Sequence, residues 1–138
     1  HIGDRRQRQM CIRDRLFANL VRQAKPENQI FSAVDAMLYS SYTLGAPGAI
    51  AAILTAAPGP SVRLWNAVID KDWDTALDLH ERLMPLWDAI GVDNMPSLCK
   101  YAQQLQGLDA GVARRPTSPA TEEQKQLVHS ALKNLDLI

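Results

Sequence analysis

Phe31-Ser-Ala-Val-Asp-Ala-Met-Leu38 and, after a short gap, Gly45-Ala-Pro-Gly-Ala-Ile-Ala-Ala-Ile-Leu-Thr-Ala-Ala-Pro58 decide the fold. They read as strand, helix, strand, with turn chemistry at each junction. Gln29 to Ser32 is a short extended stretch. Asp35 is placed to cap a helix carrying Met37, Leu38, Tyr42 and Leu44, and Gly45 ends that helix because glycine adopts a left-handed conformation freely. Ala49 to Leu54 is apolar without alternation, the pattern of a parallel strand buried on both faces. A strand-helix-strand unit of this kind belongs in a larger parallel sheet, so the chain is expected to be a fragment.

On either side of that unit the pattern is helical. Leu16, Phe17, Leu20 and Val21 mark an amphipathic helix stopped by Pro26. After a turn at Pro58-Gly-Pro60, Val62, Trp65, Val68 and Ile69 mark a helix, and Asp72 opens another through Ala76, Leu79, Leu83, Leu86 and Trp87. Pro85 is expected to kink that helix or end its straight part. Ser97 to Gln106 forms a further helix, and Thr121-Glu-Glu-Gln124 has the spacing of a capping box for a last one reaching about Leu135.

Composition narrows the classes. With 15 basic and 15 acidic residues the formal charge is zero, so no overall field marks a nucleic-acid or membrane partner. The balance is uneven, since Arg5, Arg6, Arg8, Arg13 and Arg15 face only Asp4 and Asp14 in the first fifteen residues, leaving 10 basic against 13 acidic residues elsewhere. Cys11 and Cys99 lie far apart, with no histidine at ligand spacing, so neither a disulfide framework nor a metal site is indicated. The longest apolar run falls well short of the roughly 20 residues a membrane helix needs. A cytoplasmic protein without nucleic-acid or membrane partners is expected.

Five segments in order carry a resemblance: Phe31-Ser-Ala-Val-Asp35 ahead of a helix, Leu44-Gly-Ala-Pro-Gly-Ala-Ile50 with Pro58 closing the next loop, Val62-Arg-Leu-Trp65, Leu79-His-Glu-Arg-Leu-Met-Pro-Leu86, and Pro119-Ala-Thr-Glu-Glu-Gln-Lys125. Together, from about Leu16 to the end, they resemble the carboxy-terminal part of the dihydrodipicolinate synthase and N-acetylneuraminate lyase family. The resemblance implies an α/β chain, a partial TIM (β/α)8 barrel made of the last two strands and their helices, followed by a carboxy-terminal helical subdomain. The expected division is a non-native or disordered basic segment at 1–15, the end of the barrel at 16–70 and the helical subdomain at 71–138.

For function the resemblance implies a class I aldolase or synthase that makes or breaks a carbon-carbon bond beside the keto group of pyruvate or a related 2-keto acid. A lysine forms a Schiff base with the keto acid, and the protonated imine acts as electron sink, so no cofactor is expected. That lysine belongs at the end of the sixth strand and is not found here. Cys11-Ile-Arg-Asp14 puts Arg13 at the nearest equivalent place, and arginine is no nucleophile. The spacing to the following helix is also about two residues short, so the similarity is read as accidental, and Asp4 to Arg15 looks like translated library-adapter sequence. The chain is therefore expected to be inactive by itself, while the intact parent is a homo-oligomer, a tetramer as relatives commonly are.

Three residues are expected at the substrate. Ala33 stands where the family usually has a glycine approaching the keto acid, Asp35 follows it in the same loop, and Thr55 stands where many relatives have asparagine, with Ala51 in place of a serine. Asp35 alone reads more simply as a helix cap, and Thr55 reads either as presenting a hydroxyl to a carboxylate or, more simply, as a plain strand-end residue. His80 and His129 read as solvated helix residues, Trp65, Trp73 and Trp87 as packing, and Arg114-Arg-Pro116 as a surface loop. The alternative function is a noncatalytic helical interaction module with a basic amino-terminal contact segment.

Overall fold

The structure is a computed structural model and describes residues 15–25 and 27–138. The basic segment read at 1–15, with Cys11 and Arg13, lies outside the described residues except for Arg15, and so does Pro26. Helix α1 covers 15–23. A 3-10 turn, Asp35–Met37, leads directly into α2, Leu38–Thr43. The remaining helices are α3, Ile53–Ala56, α4, Pro58–Ile69, α5, Trp73–Ile90, α6, Met95–Leu105, and α7, Glu122–Asn134.

The two expected strands shrink to a single parallel bridge between Ser32 and Ala49. The Ser32 amide donates to Gly48 O at 3.0 Å and the Ile50 amide donates to Ser32 O at 2.8 Å. The pairing is parallel, but among the described residues no ladder extends it. Ala49 to Leu54 is thus not a strand throughout: Ala52 is already helical, with φ −68 and ψ −38, and α3 begins at Ile53. The cause is local. A parallel strand is fixed by bonds to neighbours along its length, and here the Ile53 amide is instead taken by the Asp35 carboxylate at 2.6 Å.

Two further expectations are corrected. Pro58-Gly-Pro60 is the first turn of α4 rather than a turn before it, as suits proline at a position whose amide would have no helical partner. The helix containing Pro85 runs unbroken for 18 residues, with Pro85 on its exposed side.

Other signals act as expected. Gly45 has φ +95 and closes α2. The Asp72 side chain accepts from the Thr75 amide at 3.2 Å and starts α5. Thr121 and Gln124 form a reciprocal capping box at the start of α7. Gln124 also exchanges two 3.0 Å amide bonds with Asn94, which holds the α5–α6 connection to α7. At the other end of α7, Arg82 of α5 donates to Asn134 O and pairs with Asp136 at 2.6 Å.

One apolar core joins these helices. Leu38 of α2, Ile53 of α3, Leu64 of α4, Leu86 and Ile90 of α5, Leu98 of α6 and Leu132 of α7 are all fully buried in it. Burying each such side chain contributes about 1.5–3 kcal/mol. The core is continuous across the α4–α5 connection, where the 16–70 and 71–138 units were expected to divide.

Candidate functional site

The bridge and the Asp35 bond build one end of the molecule. Ser32 is buried, and its hydroxyl donates to the buried Ser41 hydroxyl at 2.9 Å, so the segment before Ala33 is fixed to α2. A side chain at Gly48 would meet the exposed Phe31 ring at 3.1 Å, so glycine there lets that ring lie close over the paired segments. The next residues, 33–35 on one segment and 51–55 on the other, leave the bridge side by side.

Asp35 does not cap its own helix, which corrects the cap reading. Val34 is the residue before the 3-10 turn, and no side chain caps it. The Asp35 carboxylate reaches 18 residues ahead to the Ile53 amide, so it ties the 33–35 loop to the start of α3. Thr55 is exposed, and its hydroxyl donates to Ala52 O at 2.8 Å. Its proton is committed within α3, which leaves the oxygen free as an acceptor. Ala33 is exposed, and its amide makes no hydrogen bond among the described residues.

Cys99, on α6, is a neighbour that sequence reasoning missed. Its thiol is buried among these groups, beside the Thr55 hydroxyl and within reach of the Asp35 charge. Burial pushes the thiol pKa up. The neighbouring Thr55 hydroxyl works against that rise, and the Asp35 charge adds to it. The thiol is therefore held protonated and is a poor nucleophile. No sequence spacing links 35, 55 and 99, which meet only because α3 packs on α6. Gln106 reinforces that packing by donating to Ala56 O at 2.7 Å.

The arrangement offers one carboxylate, one hydroxyl acceptor and exposed backbone around Ala33, which suit holding a polar group. Among the described residues no three His, Cys, Asp or Glu side chains converge on a point, and no helix is long and apolar enough to cross a membrane. His80 is not the solvated side chain expected. It is half-buried and stacked on Tyr39, with ring centroids 5.6 Å apart and planes inclined at 26°, and burial lowers its pKa. Trp65 packs edge-on against Tyr42 at 4.9 Å, while Trp73 is exposed.

Comparison with known proteins agrees with this frame. The model of the dihydrodipicolinate synthetase family matches residues 9–135. The chain is 31% identical over 121 residues to the 4-hydroxy-tetrahydrodipicolinate synthase of Archaeoglobus fulgidus, covering 88% of this chain and 42% of that protein. It is 35% identical over 107 residues to the synthase of Parvibaculum lavamentivorans, covering 78% of this chain and 37% of that one. Among solved structures, dihydrodipicolinate synthase from Bacillus anthracis superimposes with a TM-score of 0.80 at 22% identity, over 87% of this chain and 41% of that one. A monomeric dihydrodipicolinate synthase variant superimposes with a TM-score of 0.77 at 26% identity, over 88% and 40%. The chain spans about two fifths of the length of the curated relatives it matches.

Proposed function

We infer the function from kinship: this chain belongs to the dihydrodipicolinate synthetase family. It is a carboxy-terminal piece of a pyruvate-dependent aldolase or synthase, a lyase of the cytoplasm whose intact form is a homo-oligomeric (β/α)8 barrel. The match over 9–135 carries this reading. In it, 16–70 is the end of the barrel and 71–138 the helical subdomain, and the Ser32–Ala49 bridge is the remnant of pairing between the last two strands.

The residues around the bridge are the substrate end. The exposed Ala33 amide is the donor that faces a keto-acid oxygen, while Asp35 and Thr55, both acceptors here, frame the two sides of the site. Asp35 acts by position, since its bond to the Ile53 amide fixes where both loops stand. The amine that would join a 2-keto acid as an imine lies outside this group, and the Cys99 thiol, held protonated, does not replace it. The chain alone is therefore a partial binding surface without the electrophile-forming step.

Borohydride reduction in the presence of pyruvate, followed by mass spectrometry, tests this. The 138-residue chain is expected to gain no adduct, while a product extended to the full length of its relatives gains one on a lysine outside this chain. An adduct on Lys25, Lys71, Lys100, Lys125 or Lys133 would overturn the assignment.

A further inference from the structure

Arg115, set aside as a surface-loop residue by sequence, does not stand alone in the structure. Together with Lys100 and Lys125 it lines a cleft of about 330 Å³ between α6 and the segment leading to α7. No carboxylate is among the residues lining that cleft, in a chain whose formal charge is zero. We propose that this cleft binds a small phosphate monoester, with the phosphoryl group among Lys100, Arg115 and Lys125 and the organic part against Tyr101.

The cations come from three separate elements and are differently prepared. Lys100 is half-buried on α6 and spends one of its three protons on Ala110 O, which leaves two for a ligand. Lys125 stands in the first turn of α7, 5.8 Å from the centre of the Tyr101 ring. Its ammonium pairs with Glu122 at 2.7 Å, but the Glu122 side chain is 83% exposed, so an entering dianion competes with a weak, solvated partner. Arg115 is exposed and has no hydrogen bond or ion pair among the described residues. Its planar fork matches two phosphoryl oxygens at once.

Neutral groups complete the match. Ser97 and Thr117 bring hydroxyls to the same cleft. The Ser97 proton goes to Ser118 O at 2.7 Å, and the Thr117 hydroxyl has no partner among the described residues. Three cations and a free hydroxyl donor exceed what the two oxygens of one carboxylate can use, and they suit a tetrahedral dianion with three terminal oxygens. The Tyr101 ring, with Val112, Ala113 and Ala120 also at the cleft, offers an apolar surface for a carbon skeleton.

The test uses the full 138-residue chain with phenyl phosphate at physiological salt, followed by ligand-observed NMR and by the shift in unfolding midpoint that selective binding produces. Saturable binding is expected, and Arg115→Gln is expected to weaken it by about tenfold, the scale of one charge-assisted contact. Lys125→Gln weakens it similarly, and benzoate binds at least as much more weakly than phenyl phosphate. Arg63→Gln, an exposed arginine on α4 away from the cleft lining, is the control and leaves binding unchanged. Equal losses in R63Q and R115Q, benzoate binding as tightly as phenyl phosphate, or no saturable binding would each overturn the proposal. Because Arg115 is exposed, R115Q is expected to keep the parent unfolding midpoint without ligand, and the midpoint is read in every variant.

Discussion

Asp35 holds more of the candidate site than its exposure suggests. Its carboxylate is the acceptor for an amide that would otherwise be open at the start of α3. Asp35→Ala is expected to lower stability by about 1.5–3 kcal/mol, the worth of a hydrogen bond to a charged group, with Asp35→Asn losing less, as read from urea unfolding. Asp35 was legible as a polar residue at a junction, but its partner was not. Nothing in a sequence ties residue 35 to residue 53, and the cap reading failed because a local partner is the default inference. His80 supplies a second test. Burial holds its imidazole below the ordinary value of 6.5, with the Glu81 charge working in the opposite direction. The unfolded chain then takes up a proton that the folded chain resists, so stability present above about pH 6.5 is lost as pH falls through that value. His80→Phe, which keeps a ring on Tyr39, is expected to flatten the slope between pH 7 and 5 in denaturant midpoints.

The helices whose ends carry their own chemistry were the ones the sequence placed well. Thr121 and Gln124 mark the start of α7 through two reciprocal bonds, and Asp72 marks α5 through one. Each signal is complete within four residues, which makes it readable without the fold. Gln124 does more than its spacing announces, because it also grips Asn94. Thr121→Ala is accordingly expected to cost about 1 kcal/mol as a lost cap. Gln124→Ala is expected to cost more, since it also leaves the buried Asn94 amide short of partners; thermal and urea unfolding of the two variants side by side would show the order. The stretch from Ala49 to Leu54 went the other way. An apolar run without alternation states that it is buried, and whether it is buried as strand or helix depends on neighbours that the run does not encode. The same limit hid the phosphate cleft, whose three cations lie on α6, on a loop and on α7.

The molecule as a whole combines a well-filled helical core with an open end. Leu64, Leu86, Leu98 and Leu132 are fully buried, while Ile50, beside the only bridge among the described residues, is 77% exposed, with Phe31 exposed next to it. Apolar side chains on an unpaired strand edge favour association over solution. The chain by itself is expected to unfold at low denaturant and to self-associate as concentration rises, which light scattering against urea midpoint would show. A sharp, concentration-independent transition in a monomer would contradict it. Helix α6 lies between the two regions of interest and divides its residues between them. Cys99, Ala102 and Gln106 belong with α3 and Thr55, whereas Ser97, Lys100, Tyr101 and Gln104 line the cleft. Adjacent positions along this one helix thus answer to different constraints. As related chains diverge, changes at 99, 102 and 106 are expected to track changes at 55 and 56, while 97, 100 and 104 drift in company with 115 and 117, so that one helix records two histories.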